Sequence, residues 1–437
     1  MMCNLLYKRS LLSCLVMMSC LLNIGNVQAQ LEINIGQGTV RGIPIAIVPF
    51  KTIDGTELST NVDQVVAADL RISGKFEPIP ANNYMTFPSR SEEVRFKDWR
   101  FIDAEALVIG EVWRLGEDLY EIQFRIYDVA REVEIGSGKR IPNLREQDLR
   151  SAAHIISDNV YTAFTGRGGA FNSRIAYIKR TEVELKRYRY RLMVADWDGY
   201  AEQEVFASWK PLLSPTWSPD GSKISFVSFS DGGSVVQLLN LQSGKHEVIA
   251  AFKGINSAPD WSPDGTKIAY STSRHGSPDV YIYDIFTKQH QRVSTHYGID
   301  TEPAWSPDGR SLLFTSSRTG KPQIYSHDLA SKDDTRITFE GDESANGSYD
   351  FDGKQITMVH EGGQIVVMQE DSNAMTWIST AKFDESPSFS PNGDMVLYAT
   401  VQGYEPSLVV GSSDGRVRTK LEFVSGDVRE PAWSPLK

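Results

Sequence analysis

The chain has 437 residues, 41% of them hydrophobic, and a formal net charge of −11. This length exceeds the ~100 to 200 residues of one ordinary domain and predicts two or three domains. The acidic balance disfavours nucleic acid and anionic membranes as main partners, because both attract basic surfaces.

The first 29 residues differ from the rest of the chain. A basic pair at 8–9 precedes an apolar run at 11–24, and small residues stand at −3 and −1 of a cut after Ala29. This pattern predicts a secretory signal peptide cleaved between Ala29 and Gln30, and hence an exported protein. The alternative is a lipoprotein signal that would leave Cys20 as a lipid anchor.

All cysteines of the chain lie within this leader, at Cys3, Cys14 and Cys20. Cleavage would leave the mature protein without cysteine, which excludes thiolate catalysis and cysteine metal sites. No later stretch approaches the ~18 apolar residues that a membrane span needs, so no direct membrane span is predicted.

The segment Gln30–Ile35, spelled QLEINI, alternates apolar and polar residues and precedes a glycine-rich stretch. Two interpretations stay open. The segment is either an ordinary edge strand of the first domain or a detachable strand that adds to the sheet of a partner.

Residues 30–166 predict a small α/β domain, because short apolar strands alternate with two amphipathic helices. The expected strands are Ile45–Phe50, Ala106–Val112 and Tyr120–Asp128, and the expected helices are Thr60–Ser73 and Leu144–Phe164. Thr60 and Asp63 suggest a capping pair for the first helix, and Gly166 suits the C-terminus of the second. Residues 167–173 are expected to be a linker.

A repeat dominates the remainder of the chain. Aligned on an aromatic residue, W-S-P-D-G and its variants recur with spacings of 44, 44, 44, 40 and 44 residues, at Trp217, Trp261, Trp305, Tyr349, Phe389 and Trp433. This period is typical of four-stranded propeller blades. In Ser-Pro-Asp-Gly, proline suits the second position of a type I turn and glycine accepts positive φ at its end.

The two ends of the repeat region predict how the ring closes. A strand at Arg174–Ile178 has no W-S-P before it, and Trp433 has no strand after it. We therefore expect a six-bladed β-propeller over 174–437, closed by the C-terminal strand, which also removes exposed sheet edges. The fourth repeat is degenerate, with Asn346-Gly347 where the others have proline.

No catalytic constellation emerges from the sequence, and no cofactor is expected. Gly411–Gly415 satisfies G-x-S-x-G but is followed by no histidine, so a turn is the better interpretation. Acidic residues near the blade starts are expected to line the channel, where they would face solvent or a partner, bind a cation or act as an acid and base pair; they are Asp260, Asp300, Glu302, Glu385 and Glu430. An exported hydrolase or lyase remains the alternative function.

Together these features resemble the TolB family. The likeness covers nearly the whole mature chain in order and rests on segments 45–50, 68–79, 106–112, 151–161, 174–178 and 430–435. It implies a periplasmic, non-enzymatic interaction protein that supports outer-membrane integrity and invagination during division. The implied partners are the lipoprotein Pal, the C-terminal domain of TolA, other outer-membrane proteins, and colicins.

The resemblance also implies where the partners bind. Pal would contact the propeller mouth through three loops and neighbouring outer residues, namely Asn256, Ser257, Ala258, Pro259, Asp300, Thr301, Glu302, Pro303, Asp384, Glu385, Ser386, Pro387, Arg274, His275 and Arg318. TolA would contact the mature N-terminus through Gln30, Leu31, Glu32, Ile33, Asn34 and Ile35.

Overall fold

The computed structural model describes residues 41–402, 405–421 and 427–436. The first part of this chain forms a mixed sheet with helices, and the second forms six four-stranded antiparallel sheets. The predicted strand at 30–35 and the predicted cleavage site lie outside the described residues.

The α/β domain is built on a seven-stranded sheet. Its strands are β1 (Ile43–Ile47), β2 (Lys51–Thr52), β3 (Phe76–Pro78), β4 (Ala106–Gly116), β5 (Leu119–Asp128), β6 (Val133–Glu134) and β7 (Lys139–Leu144). They lie in the order β3-β1-β4-β5-β6, with β2 paired to β4 and β7 paired to β5. The helices of this domain are α1 (Val62–Ile72), α2 (Phe96–Arg100) and α3 (Leu149–Thr165).

Both predicted long helices are present, but their starts differ from the predictions. Helix α1 is capped by Asn61 without a side-chain hydrogen bond, so the predicted Thr60/Asp63 capping pair is wrong. Helix α3 begins at Leu149, because Leu144 is the last residue of β7 and pairs with Tyr120 across the sheet. At the other end Gly166 has φ of 71°, as a left-handed cap requires.

The six blades are numbered from the sheet that joins both ends of the ring. Each is a four-stranded antiparallel sheet, whose strands are named from the innermost outward. Blade 1 contains β31 (Asp427–Trp433), β8 (Arg174–Glu184), β9 (Arg187–Asp196) and β10 (Gln203–Ser208). Blade 2 contains β11 (Leu212–Trp217), β12 (Lys223–Ser230), β13 (Gly233–Asn240) and β14 (His246–Ala250).

The remaining blades repeat this arrangement. Blade 3 contains β15 (Asn256–Trp261), β16 (Lys267–Thr272), β17 (Asp279–Asp284) and β18 (His290–Arg292). Blade 4 contains β19 (Asp300–Trp305), β20 (Ser311–Ser316), β21 (Gln323–Asp328) and β22 (Asp334–Arg336). Blade 5 contains β23 (Ser344–Tyr349), β24 (Gln355–His360), β25 (Gln364–Gln369) and β26 (Met375–Trp377). Blade 6 contains β27 (Glu385–Phe389), β28 (Met395–Gln402), β29 (Glu405–Ser412) and β30 (Arg418–Lys420).

The C-terminal strand closes the ring, as the sequence predicted. Strand β31 pairs with β8 in register Trp433 to Ile175 and becomes the innermost strand of blade 1. The closure is secured by hydrogen bonds, since Trp433 Nε1 donates to Ser173 Oγ at 2.7 Å and the Arg174 N–H donates to Ser434 Oγ at 2.8 Å.

The repeated turn has the predicted form. In blade 3 the Gly265 N–H donates to the Ser262 carbonyl at 2.8 Å, and Gly265 has φ of 69°. In the degenerate blade 5, Asp350 stands where the other turns have serine. Its Oδ1 accepts from the N–H groups of Lys354 and Gln355 at 2.8 and 3.0 Å, so a carboxylate replaces the serine hydroxyl as acceptor.

The α/β domain sits on the end of the propeller that carries these turns. Arg167 donates to the Asn392 carbonyl at 2.6 Å, and the Tyr161 hydroxyl donates to Asp394 at 2.6 Å. One continuous apolar core joins the α/β domain to the propeller, and in it the rings of Trp197 and Trp433 stack with centroids 6.0 Å apart. This end is called the turn end, and the opposite end, where the innermost strands begin, is called the mouth end.

Candidate functional site: the channel mouth

A cavity of about 480 Å³ opens in the centre of the ring. It is lined by the innermost strands of all six blades, through residues 214–216, 257–260, 301–304, 345–348, 384–388 and 430–432, with Val359 from a second strand. Each innermost strand begins at the mouth end and runs along the channel to the repeated turn. The loop that precedes each innermost strand therefore lies at the entrance of the channel.

Every innermost strand contains the same backbone irregularity. One non-glycine residue in each has φ between 47° and 54°, and the pairing register shifts there; the residues are Ser214, Ala258, Glu302, Asn346, Ser386 and Glu430. Left-handed non-glycine residues cost on the order of 1 to 3 kcal/mol each and persist only where their surroundings enforce them. Six bulges at one level therefore form a rigid ring around the cavity.

Two of these bulges are tied to the next blade by a carboxylate. Glu302 Oε2 accepts from the Asn346 N–H at 2.9 Å and from Thr315 Oγ1 at 2.7 Å. Glu430 Oε2 accepts from the Ser214 N–H at 3.2 Å. A bulge leaves backbone groups without ladder partners, so these acids supply acceptors that the sheet itself lacks.

The cavity is acidic. Burial raises the pKa of Glu430 to about 7, and the neighbouring Glu385 adds to the rise. Burial also raises the pKa of Asp260 to about 6, although Asp260 accepts from the Trp305 N–H at 2.8 Å. No lysine, arginine or histidine is among the lining residues that the structure describes. The arrangement favours positively charged groups of a partner entering the mouth.

The structure brings together most of the predicted mouth residues. The ten that line the cavity are Ser257, Ala258, Pro259, Thr301, Glu302, Pro303, Asp384, Glu385, Ser386 and Pro387. Asn256 and Asp300 do not line it, so the prediction that Asp300 faces the channel is wrong. Asn256 is fully buried and donates to the Ser234 and Phe252 carbonyls, while Asp300 is fully buried against Arg318 at 3.1 Å.

The predicted outer residues do not line this cavity, and they lie on the loops between the second and third strands of blades 3 and 4. Arg318 lies 4.6 Å from the ring centroid of Tyr325 and binds Asp300, so it orders the start of β19. Arg274 lies 4.3 Å from the ring of Tyr281, and the imidazole of His275 is 6.4 Å from the same ring.

The sequence predictions missed an apolar rim at the mouth end. Large apolar side chains are exposed on the loops that enter the innermost strands, including Tyr297 at 84% and Phe383 at 78%; the others are Ile255, Ile299 and Phe339. A regular signal existed, because Ile255, Ile299 and Phe383 each stand three residues before a bulge residue. Large apolar side chains that are exposed together at one end of a protein mark a site of protein–protein interaction.

The serine of the G-x-S-x-G segment, Ser413, occupies the second position of a turn in which the Gly415 N–H donates to the Ser412 carbonyl at 2.8 Å. Ser412 Oγ donates to Asp414 Oδ1 at 2.7 Å and accepts from the Val417 N–H at 3.0 Å. This is the hydrogen bonding of the repeated propeller turn and not that of a nucleophile paired with a base.

Within the described ranges, one group of three side chains offers metal-ligand atoms, namely Asp69, His154 and Asp198. His154 Nδ1 lies 2.8 Å from Asp69 Oδ2, and Ser157 Oγ donates to the same oxygen at 2.6 Å. Arg150 forms an ion pair with Asp198. These contacts describe a buried hydrogen-bonded cluster that joins the α/β domain to blade 1.

None of the helices in the described residues is both long and apolar enough to cross a bilayer.

Comparison with known proteins extends over both domains. The chain matches the family model described as "TolB beta propeller domain" over residues 161–437 and the one described as "TolB amino-terminal domain" over residues 31–135. Curated relatives named "Tol-Pal system protein TolB", from Xanthomonas oryzae pv. oryzae (strain MAFF 311018) and Xanthomonas euvesicatoria pv. vesicatoria (strain 85-10), are each 49% identical over 94% of this chain and 94% of their own. The crystal structure of TolB from Acinetobacter baumannii superposes with a TM-score of 0.83 at 36% identity, covering 93% of this chain and 100% of that one.

Proposed function

The chain belongs to the TolB family, and on that premise we propose that it is the periplasmic adaptor of a Tol-Pal system. Its channel mouth binds the lipoprotein Pal, and its mature N-terminus, Gln30–Ile35, binds the C-terminal domain of TolA. Through these contacts it supports outer-membrane integrity and invagination during division. Colicins would use the same propeller surface, and other outer-membrane proteins are further partners.

The observation that carries the proposal is the build of the mouth. An acidic cavity held by six backbone bulges is surrounded by exposed apolar side chains such as Tyr297 and Phe383. Rigid recognition surfaces lose little conformational entropy on binding, and buried aromatic anchors dominate the energy of protein interfaces. The α/β domain contacts the turn end, at the opposite end of the ring from the exposed apolar side chains of the mouth.

The proposal assigns this molecule a binding role in place of the alternative hydrolase or lyase. Its relatives are named as components of a Tol-Pal system. Ser413, the serine of the G-x-S-x-G segment, occupies the second position of a turn closed by the hydrogen bond from the Gly415 N–H to the Ser412 carbonyl.

Calorimetric titration with purified Pal of the same bacterium tests the mouth. We expect Tyr297→Ala and Phe383→Ala each to weaken binding at least tenfold, because each removes an exposed aromatic anchor. Phe351→Ala is the matched control, since Phe351 is also exposed at 72% but belongs to a turn at the other end of the propeller. Unchanged affinity in both mouth variants, or failure of the wild type to bind, would contradict the proposal.

Deletion of residues 30–35 tests the N-terminal contact. The shortened chain should lose affinity for the C-terminal domain of TolA while keeping its melting temperature and its affinity for Pal. Undiminished TolA binding by the deletion variant would exclude this segment as the contact.

A further inference from the structure

The hairpin between β8 and β9 of blade 1 is longer than its counterparts in the other blades. Strand β8 continues nine residues beyond Ile175, whereas the longest counterparts, β12 and β28, stop six residues beyond Ile224 and Val396, which occupy the same position opposite the aromatic residue of the repeat. At about 3.3 Å per residue, the three extra residues carry the tip on the order of 10 Å farther along the strand direction. The hairpin thus stands above the rim at the mouth end.

The tip of this hairpin exposes apolar side chains. Leu185 is 89% exposed and Val183 49% exposed, and the pairing register shifts between Glu182 and Glu184, around Val183. These two side chains do not pack into the core of blade 1. An exposed apolar side chain on a projecting hairpin is typical of a residue that becomes buried when a partner binds.

The flanks of the hairpin are basic, although the chain as a whole is acidic. The segment 179–191, with both ends included, contains six basic and two acidic residues. The guanidinium groups of Arg187 and Arg189 lie 4.2 and 5.4 Å from the ring centroid of Trp209. Stacking on one indole limits the rotamers of both arginines, so they are ordered before any partner arrives.

The existing ion pairs of these basic groups are exchangeable. Arg187 lies 3.3 Å from Glu184 with both side chains more than half exposed, and Arg189 lies 3.7 Å from Glu204. Exposed pairs of this kind contribute about 0 to 1 kcal/mol, so carboxylates of a partner can replace them. Lys186 forms no ion pair with any residue that the structure describes.

We infer that this hairpin, residues 180–191 together with Trp209, is a docking arm that grips an acidic protein surface and inserts Leu185 into an apolar depression there. The inference rests on the proposed function, because the occupant is the protein bound at the mouth. A protein suits the arm better than an anionic membrane does, because a flat anionic surface meeting this end would also meet the acidic cavity. A protein can present acidic groups to the arm and basic groups to the cavity.

Titration with purified Pal at low and moderate ionic strength tests the arm. Leu185→Asp and the double variant Arg187→Glu/Arg189→Glu should each weaken binding at least tenfold at low salt. The double variant should also lose part of the salt dependence, because fewer charges pair across the interface. Phe286→Asp is the matched control, since Phe286 is 77% exposed on a turn-end loop. Melting temperatures measured in parallel should stay close to that of the wild type, because Leu185 and Arg187 are exposed and Arg189 is 34% exposed.

The outcomes separate the two proposals. Wild-type binding that persists within twofold in both arm variants overturns the docking arm and leaves the proposed function intact. Failure of the wild type to bind overturns the proposed function, and the arm with it. Sedimentation of the wild type with vesicles of three parts phosphatidylethanolamine to one part phosphatidylglycerol, abolished by Leu185→Asp, would show that the arm serves a membrane and would overturn the protein assignment.

Discussion

One acidic residue of the channel, Glu430, has two roles. Glu430 accepts a backbone hydrogen bond from the neighbouring blade at Ser214, and its carboxyl also faces the acidic cavity. A buried carboxylate beside Glu385 is costly to ionise, which is why its pKa is raised to about 7. Glu430 therefore stabilises the ring by accepting this hydrogen bond, and its ionised form destabilises the ring because the charge is buried.

Replacement of Glu430 with glutamine should stabilise the protein at alkaline pH. The folded state holds the Glu430 proton more tightly than the unfolded state, so the stability linked to it is present below pH 4.5 and is lost as the pH rises to about 7. Glutamine keeps an oxygen acceptor for Ser214 without the charge. We expect Glu430→Gln to gain about 1 to 3 kcal/mol at pH 8 and little at pH 4.5.

Denaturant unfolding at the two pH values checks this expectation. Glu247→Gln is the control, because Glu247 is an exposed residue paired with Lys288. A Glu430→Gln variant that is less stable than the wild type at pH 8 would show that the carboxylate charge is needed.

At the scale of elements, the repeated turn links neighbouring strands through one left-handed glycine. Gly265 has φ of 69°, and a Cβ built there would meet only Pro219 atoms at 3.8 Å or more. Space is therefore adequate and backbone conformation alone sets the requirement for glycine.

Gly265→Ala should destabilise the protein by about 1 kcal/mol, because alanine is strained at this φ. Gly168→Ala is the matched control, since Gly168 has ordinary φ and nothing within 4 Å of a built Cβ. Chemical denaturation of both variants gives the comparison. Equal effects of the two substitutions would exclude backbone strain as the cause.

The innermost strands show a second element-level device. A bulge residue before proline, or before Gly347 in blade 5, recurs in all six blades. Because a bulge moves one residue out of register, it decides which side chains of the strand face the channel. This explains why Glu302 lines the cavity while Asp300, two residues earlier, is buried against Arg318.

At the scale of the whole molecule, ring closure and domain docking use the same residues. Trp433 ends the C-terminal strand, stacks on Trp197 and donates to Ser173 in the segment between the two domains. Loss of this side chain affects the first blade and the domain contact together.

Trp433→Ala should therefore cost about 3 to 5 kcal/mol, because it removes a buried indole and leaves a cavity. Trp377→Ala provides the control, since Trp377 is 46% exposed on an outer strand. Calorimetry should show a lower melting temperature for Trp433→Ala than for the control. Similar losses in the two variants would mean that Trp433 has no special part in closure.

The His154 cluster is the second whole-molecule feature, since it joins α1, α3 and blade 1. Burial alone would lower the pKa of His154, but the nearby carboxylates of Asp69 and Asp198 outweigh burial and raise it. The charged groups that face it are Asp69 from α1, Asp158 and Arg150 from its own helix, and Asp196 and Asp198 from blade 1.

The loss of stability caused by His154→Gln should be largest at acidic pH. A histidine with a raised pKa contributes stability that is fully present below pH 6.5 and lost as the pH rises through the folded value. We expect a deficit of about 3 kcal/mol near pH 6 that shrinks toward pH 9. Unfolding curves of His154→Gln and of the surface control His246→Gln across this range measure it. A deficit independent of pH would show a packing role alone.

The sequence by itself determined the ring: the number of blades, the turn that joins their strands, and closure by the C-terminal strand. These features follow from local rules, because a turn and an alternating strand depend on neighbouring residues and the 44-residue repeat multiplies them. The α/β core was predictable for the same reason, apart from helix starts such as Leu149, where sheet pairing of Leu144 takes precedence.

Only the tertiary structure decided which of the acidic residues reach the cavity, where the apolar rim lies, and that Asp69 meets His154. Which acidic residues reach the cavity depends on bulges that shift the pairing register, and the alternation of the sequence does not predict such shifts. The last depends on residues 85 positions apart being brought within 2.8 Å. Contacts of this kind arise from the packing of whole domains, which the local sequence pattern does not encode.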